Sequence, residues 1–230
     1  MALSEEQLQT LGISSQHIVF DVLPPGVDQP VHRALIEPFM ALKKKAALAG
    51  IDLCIASGFR SFERQLKIWN DKATGMRAVL DVNEKPVDIH ALSDREKLFH
   101  ILRWSALPGA SRHHWGSEID VYDRAVIDDT YRVQLTNHET TQGGVFAHLH
   151  GWLDDLFAKK QAEGFERPYV EDRGGVSPER WHLSYRPIAS EYASLLTKPL
   201  LVAQLQKTEI ELQAAILENL DEVFDRYVRC

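Results

Sequence analysis

The order of elements legible along this 230-residue chain predicts an α+β fold, with helices segregated around a small sheet of non-sequential strands. Three observations carry the prediction. Helical segments account for about half of the chain. The strand-like runs are few and short. After a short first helix, the order helix, strand, helix, helix, strand, helix, strand, helix lacks the regular alternation of a parallel β-α-β sheet.

The elements follow in turn. Residues 4–12 read as a short helix with Ser4 as N-cap and Glu5 and Glu6 in the first turn, where the helix dipole favours anions. Pro24-Pro25-Gly26 is loop chemistry. From Val31 to Ala49, Leu35, Phe39, Leu42 and Ala46 recur at helical spacing and Gly50 closes the helix. Ile51 to Ala56 is an apolar strand ending at Ser57-Gly58, and Ser61 starts a helix over 61–73. No element is assigned to 74–92. Ser93 with Glu96 forms a capping box for a helix over 93–104. A Pro-, Gly- and Ser-containing loop over 108–117 leads into the alternating strand Ile119 to Asp123. A helix over 145–162 closed by Gly164, a strand from Trp181 to Tyr185 and a helical segment over 188–228 complete the chain. The last segment carries one apolar stripe, Leu205, Leu212, Ile216, Leu220, Val223, Phe224 and Tyr227, which would pack on the main domain or across a homodimer.

Composition narrows the function classes. Hydrophobic residues make up 44% and charged residues 26%, ordinary for a soluble globular protein of one domain with an appended helical segment. A net charge of −7 argues against a nucleic-acid binder, and Lys43-Lys44-Lys45, the longest basic run, reads as a solvated helix face. Cys54 and Cys230 encode no disulfide framework. The first residues lack a basic and apolar leader pattern, and no stretch of about 18 apolar residues appears, so a cytoplasmic chain without a membrane span is expected.

Catalytic zinc sites need three protein ligands, an open position, a general base and a cation near the developing oxyanion. Candidate groups cluster twice: in Ser111-Arg112-His113-His114-Trp115-Gly116-Ser117-Glu118-Ile119-Asp120, and in Glu179-Arg180-Trp181-His182. Loop and strand can set His113 and Asp120 about one metal, with His182 from a second strand at the third corner and Glu179 beside it. Spacing leaves rivals standing: His114 beside His113, Asp123 beside Asp120, and the pair His148 and His150, although residues two apart diverge if these start a helix.

Three segments, in order, resemble the D-Ala-D-Ala carboxypeptidase family of zinc peptidases, the VanY-like group. Ser57-Gly58-Phe59-Arg60-Ser61 with Gln65 is similar to its first signature, Ser111-x-His113-x-x-Gly116-x-x-x-Asp120 to its second, and Glu179-x-Trp181-His182 to its third. Gly151-Trp152-Leu153 through Gly164-Phe165 and Tyr169 is a softer match. The family spacing of seven selects His113 over His114. The resemblance implies an α+β fold whose small antiparallel sheet carries a zinc site, flanked by helices. Residues 1–195 would form the peptidase domain and 196–230 a C-terminal helical extension. It implies His113, Asp120 and His182 as ligands of Zn2+, Glu179 as general base, and Arg60 as oxyanion or substrate contact. Ser111 and Gln65 would line the substrate pocket. The implied reaction is hydrolysis of the bond to a terminal D-alanine in a peptidoglycan-derived peptide, D,D or L,D. A wall endopeptidase and a non-catalytic zinc-binding domain of the same fold are the alternatives. One departure stands out: Glu118 occupies the position where the family usually has alanine. Sharing strand parity with Asp120, it is expected on the metal's side, where it would weaken the hydroxide or change the substrate.

Overall fold

A computed structural model describes residues 3–21 and 26–229; Pro24 and Pro25 of the expected loop, and Cys230, lie outside them. The strands are β1 (Ile18–Val19), β2 (Val31–His32), β3 (Leu53–Ser57), β4 (Glu118–Asp123), β5 (Phe165–Glu166) and β6 (His182–Tyr185). The α-helices before the last strand are α1 (Glu5–Thr10), α2 (Ile36–Leu48), α3 (Phe62–Ala73), α4 (Asp94–Leu102), α5 (Asn137–Thr140) and α6 (Ala147–Ala158). After it come α7 (Arg186–Leu195), α8 (Lys198–Leu205), α9 (Gln213–Glu218) and α10 (Leu220–Val223). The fold is α+β, with every strand pair antiparallel.

Helix starts fall where local chemistry puts them. Ser4 and Ser93 close reciprocal capping boxes with Gln7 and Glu96, and the Ser61 hydroxyl accepts from the Arg64 N–H at the start of α3. The expected helix over 31–49 is trimmed at its front. Val31 and His32 pair instead with Val19 and Ile18, and a 3-10 turn over Arg33–Leu35 leads into α2. β1 and β5 are two residues each, too short to carry a periodicity of their own.

The central sheet has the order β3-β4-β6-β5, so β4 and β6, distant in sequence, lie side by side. Its two faces differ because successive side chains point oppositely. Ile119 and Val121 of β4, Leu183 of β6, and Leu53 and Ile55 of β3 form one apolar core with Phe39, Leu42 and Ala46 of α2 and Leu149 and Leu153 of α6. Glu118, Asp120, His182 and Ser184 have the opposite parity. All four are buried, on the face that bears the site.

The expected helical run over 188–228 is broken. Thr197 caps α8 and Pro199 sits in its first turn, the one place a helix tolerates a residue without an N–H. Leu212, at φ 62, interrupts the chain again before α9. The stripe's Leu205, Ile216, Val223, Phe224 and Tyr227 share a core with Leu11, Trp69, Leu98 and Trp115, and the Trp69 indole N–H donates to the Glu211 carbonyl at 3.0 Å. The stripe therefore packs on the body of its own chain. No helix among the described residues is long and apolar enough to cross a membrane.

Buried histidines outside the site predict acid sensitivity. His150 on α6 accepts from the Arg167 guanidinium at Nδ1, while its Nε2 has no partner among the described residues. Burial, then Arg167 and Arg180, push its pKa down to about 3, and burial pushes His17 and His32 down to about 4. Unfolded, these rings take a proton near 6.5. Their stabilisation is thus complete above pH 6.5 and lost as pH falls toward 4 and 3, at up to roughly 1.4 kcal/mol per pH unit for His150 and less for the partly exposed His32. Urea unfolding at pH 7 and 4.5 should show this loss, and His150→Gln should flatten it; an equal slope in the variant would refute the assignment to His150.

Candidate metal centre

His113 sits on a 3-10 turn over Arg112–Trp115 that Gly116 terminates at φ 64. A Cβ at Gly116 would lie 2.3 Å from Ile18 Cδ1 and 2.7 Å from the His32 nitrogen, so the turn requires glycine there. The turn is tied down by the Arg60 N–H, which donates to the His113 carbonyl at 3.1 Å. His113 Nδ1 lies 2.8 Å from the Gly58 carbonyl oxygen, which can only accept. Nδ1 therefore donates its proton there, and Nε2, 3.3 Å from Asp120 Oδ2, is the nitrogen that would turn to a metal.

The other half of the cluster follows from strand register. Asp120 lies directly opposite His182, and Glu118 opposite Ser184, which makes Glu118 the diagonal neighbour of His182. His182 Nδ1 is 3.1 Å from Asp120 Oδ1, and its Nε2 is 2.9 Å from Glu118 Oε2. The two imidazoles meet edge to face with centroids 5.0 Å apart. One ligand atom from each of His113, Asp120 and His182 falls within 4.8 Å of the other two, and all three residues are buried. The set can hold a metal ion, because two imidazole nitrogens and one carboxylate oxygen converge while both outer histidine nitrogens are held by acceptors. Burial by itself would raise the Asp120 pKa, but the flanking imidazoles hold it well below the usual carboxylate range. For His182, burial acts to lower the pKa, and the carboxylates on its two nitrogens raise it. A metal entering at Nδ1 must displace a proton there.

This cluster forms one wall of a cavity of about 430 Å³ between the polar sheet face, α3 and the segment after α4. Glu179, Arg60 and Ser111 also line it. Glu179 Oε2 lies 3.8 Å from His182 Nδ1; burial, with Asp120 adding, pushes its pKa up to about 7. Arg60 is braced through Nη1 on Gln65 Oε1 at 2.8 Å and Nη2 on Ser57 Oγ at 3.3 Å. Gln65 is fully buried and donates onward to the Ala106 carbonyl. It orients the guanidinium from behind and does not stand on the cavity wall, where the resemblance had put it. Lys72 was not foreseen. It reaches the cavity from α3, donates to Ser105 Oγ at 2.6 Å, and has its pKa pushed down to about 8 by burial. Its position on the α3 face seven residues after Gln65 is the signal that was present.

The rivals have other partners. His114 Nδ1 meets the Arg60 carbonyl, and its Nε2 accepts from the Gly109 N–H. Asp123 accepts from the Asp52 and Ala125 N–H groups and caps a turn. His148 and His150 lie in α6, where they diverge. Glu118 corrects the expectation made from parity. It does share the polar face, but its carboxylate sits behind the His182 ring on the nitrogen remote from Asp120, outside the cavity.

A family match supplies the class of protein, a metallopeptidase of the carboxypeptidase type. The VanY family model, D-alanyl-D-alanine carboxypeptidase, matches residues 28–188, and the chain belongs to that family. An uncharacterized protein of Haemophilus influenzae is 40% identical over 107 residues, 46% of this chain and 72% of that protein. A D-alanyl-D-alanine carboxypeptidase of Enterococcus faecalis is 27% identical over 154 residues, 65% of this chain and 46% of that protein. Among solved structures, VanYB in complex with D-alanine-D-alanine superposes with TM-score 0.51 at 20% identity, over 86% of this chain and 94% of its own. The LdcB LD-carboxypeptidase does so with TM-score 0.50 at 19% identity, over 89% and 78%. These two share the fold.

Proposed function

We propose that the chain is a zinc carboxypeptidase that releases a terminal D-alanine from peptidoglycan-derived peptides. The observation that carries this reading is the convergence of His113, Asp120 and His182 in a cavity that also presents Glu179 and the cations Arg60, Lys72 and Arg77. His113 would supply Nε2, His182 Nδ1 and Asp120 a carboxylate oxygen. A bound zinc would lower the pKa of a water toward neutrality and polarise the scissile carbonyl.

Glu179 takes the proton from the attacking water and returns it to the departing D-alanine amine; a carboxyl whose pKa burial pushes up to about 7 suits both steps. Arg60, held rigid by Gln65 and Ser57, presents a permanent charge to the developing oxyanion without reorganising. Lys72 and Arg77 offer cationic partners for the free carboxylate of the substrate, which favours removal of a terminal residue over internal cleavage. The family match ends at residue 188, inside α7, and we read residues 1–195 as the peptidase domain and 196–230 as an extension packed on the same body.

Elemental analysis of the purified protein should give about one zinc per chain. Free D-alanine should appear from stem peptides ending in D-alanine, assayed with D,D and L,D stems side by side and with the terminal carboxylate amidated as control. Equal cleavage of the amidated peptide would turn the reading to an endopeptidase. Zinc without cleavage of any stem would turn it to a binding domain.

A further inference from the structure

His182 has a second carboxylate on its outer nitrogen. Glu118 is fully buried, and its two oxygens face different partners. Oε1 accepts from Ser184 Oγ at 2.8 Å, from Arg112 Nη2 at 3.2 Å and from Ser117 Oγ at 3.4 Å. Oε2 lies 2.9 Å from His182 Nε2. Arg112 Nη2 also reaches Ser184 Oγ at 2.9 Å, and its guanidinium lies 4.9 Å from the Trp115 ring centroid, so the cation that orients Glu118 is itself fixed. Oε1 faces a guanidinium and two hydroxyls and Oε2 faces a ring nitrogen, so the carboxylate is placed to accept at both oxygens.

We propose that Glu118 is a positioning residue: it holds the His182 ring with a proton on Nε2 and the lone pair on Nδ1, and so sets the affinity of the site for its metal. The inference rests on the reading of His182 as a ligand. His113 is oriented in the same sense by the neutral Gly58 carbonyl, so the two histidines have unequal supports. A carboxylate behind an imidazole fixes its tautomer and raises its basicity as a ligand, and losing such a partner typically costs about 10–100-fold in metal affinity. The support comes from the sheet itself, since the diagonal position of Glu118 to His182 follows from the register that sets Asp120 opposite His182.

Glu118→Gln distinguishes positioning from mere filling of space. Its single oxygen stays with the charged donor Arg112 and with Ser184. Its amide NH2 then turns to Nε2, which must accept, and this drives the ring proton onto Nδ1, where the metal would bind. Zinc affinity, measured by competition with a chromophoric chelator, should fall about 10–100-fold in Glu118→Gln despite the matched shape. Long-range proton–nitrogen spectra of the zinc-loaded wild type should show His182 protonated at Nε2. That second measurement needs no variant to fold. Wild-type zinc affinity in a folded Glu118→Gln protein would overturn the proposal while leaving the metallopeptidase reading intact, whereas a His182 proton on Nδ1 in the loaded wild type would overturn the proposal and remove His182 Nδ1 from the ligand set. A wild type that binds no zinc would overturn both.

Discussion

Glu179→Gln should abolish D-alanine release while the protein keeps its zinc. Removing a general base costs about 10²–10⁴-fold in rate, and Glu179 would serve twice, on the attacking water and on the leaving amine, so the loss belongs at the upper end of that range. The effect should fall on kcat, with KM little changed, because the residue acts on protons that move only in the reaction. The substitution conserves shape, and Glu179 is not one of the three converging donors, so metal content and melting temperature should stay near wild type. Steady-state kinetics beside elemental analysis reads both. A variant that keeps a tenth or more of wild-type turnover would exclude Glu179 as the base.

Asp120→Ala should produce the complementary failure, with metal and activity lost together. Asp120 bridges the two histidines, 3.3 Å from His113 Nε2 and 3.1 Å from His182 Nδ1. Without it, the donor set falls to two neutral nitrogens, and the zinc affinity should drop by more than the roughly 100-fold ceiling for an outer partner. The fold should feel it too, because the His182 Nδ1–H loses its acceptor in a buried site, a cost of about 1–3 kcal/mol. Chelator competition and thermal melting of the metal-free protein separate the two effects. Retained zinc with lost activity would move Asp120 from the metal to another role. Together with Glu179→Gln, the pair separates holding the ion from using it.

How much of this was legible in the sequence differs from element to element. The starts of α1, α3 and α4 were readable because Ser4, Ser61 and Ser93 satisfy N–H groups only a few residues away. The start of α2 was misread because Val31 and His32 are captured by β1, a pairing that two residues cannot signal. Residue types and spacing singled out His113, Asp120, Glu179 and His182, while the family resemblance decided between neighbours such as His113 and His114 and supplied Arg60. The cavity brings those residues together.

What the sequence by itself determined is the chemistry available and its local frame: donor types, capped helices, a glycine-closed turn and strands with one apolar and one polar parity. Only the tertiary structure decided which of those groups meet. The antiparallel register of β4 and β6 sets Asp120 against His182 across 62 residues of chain, and places Glu118 behind the ring where strand parity had pointed it at the metal. It likewise spent the C-terminal stripe on the chain's own core and put Gln65 behind Arg60. The physical reason is one of range. Capping and parity are settled by neighbours a few residues away, whereas register and facing partners are chosen by the burial of whole faces against each other, which no local window contains.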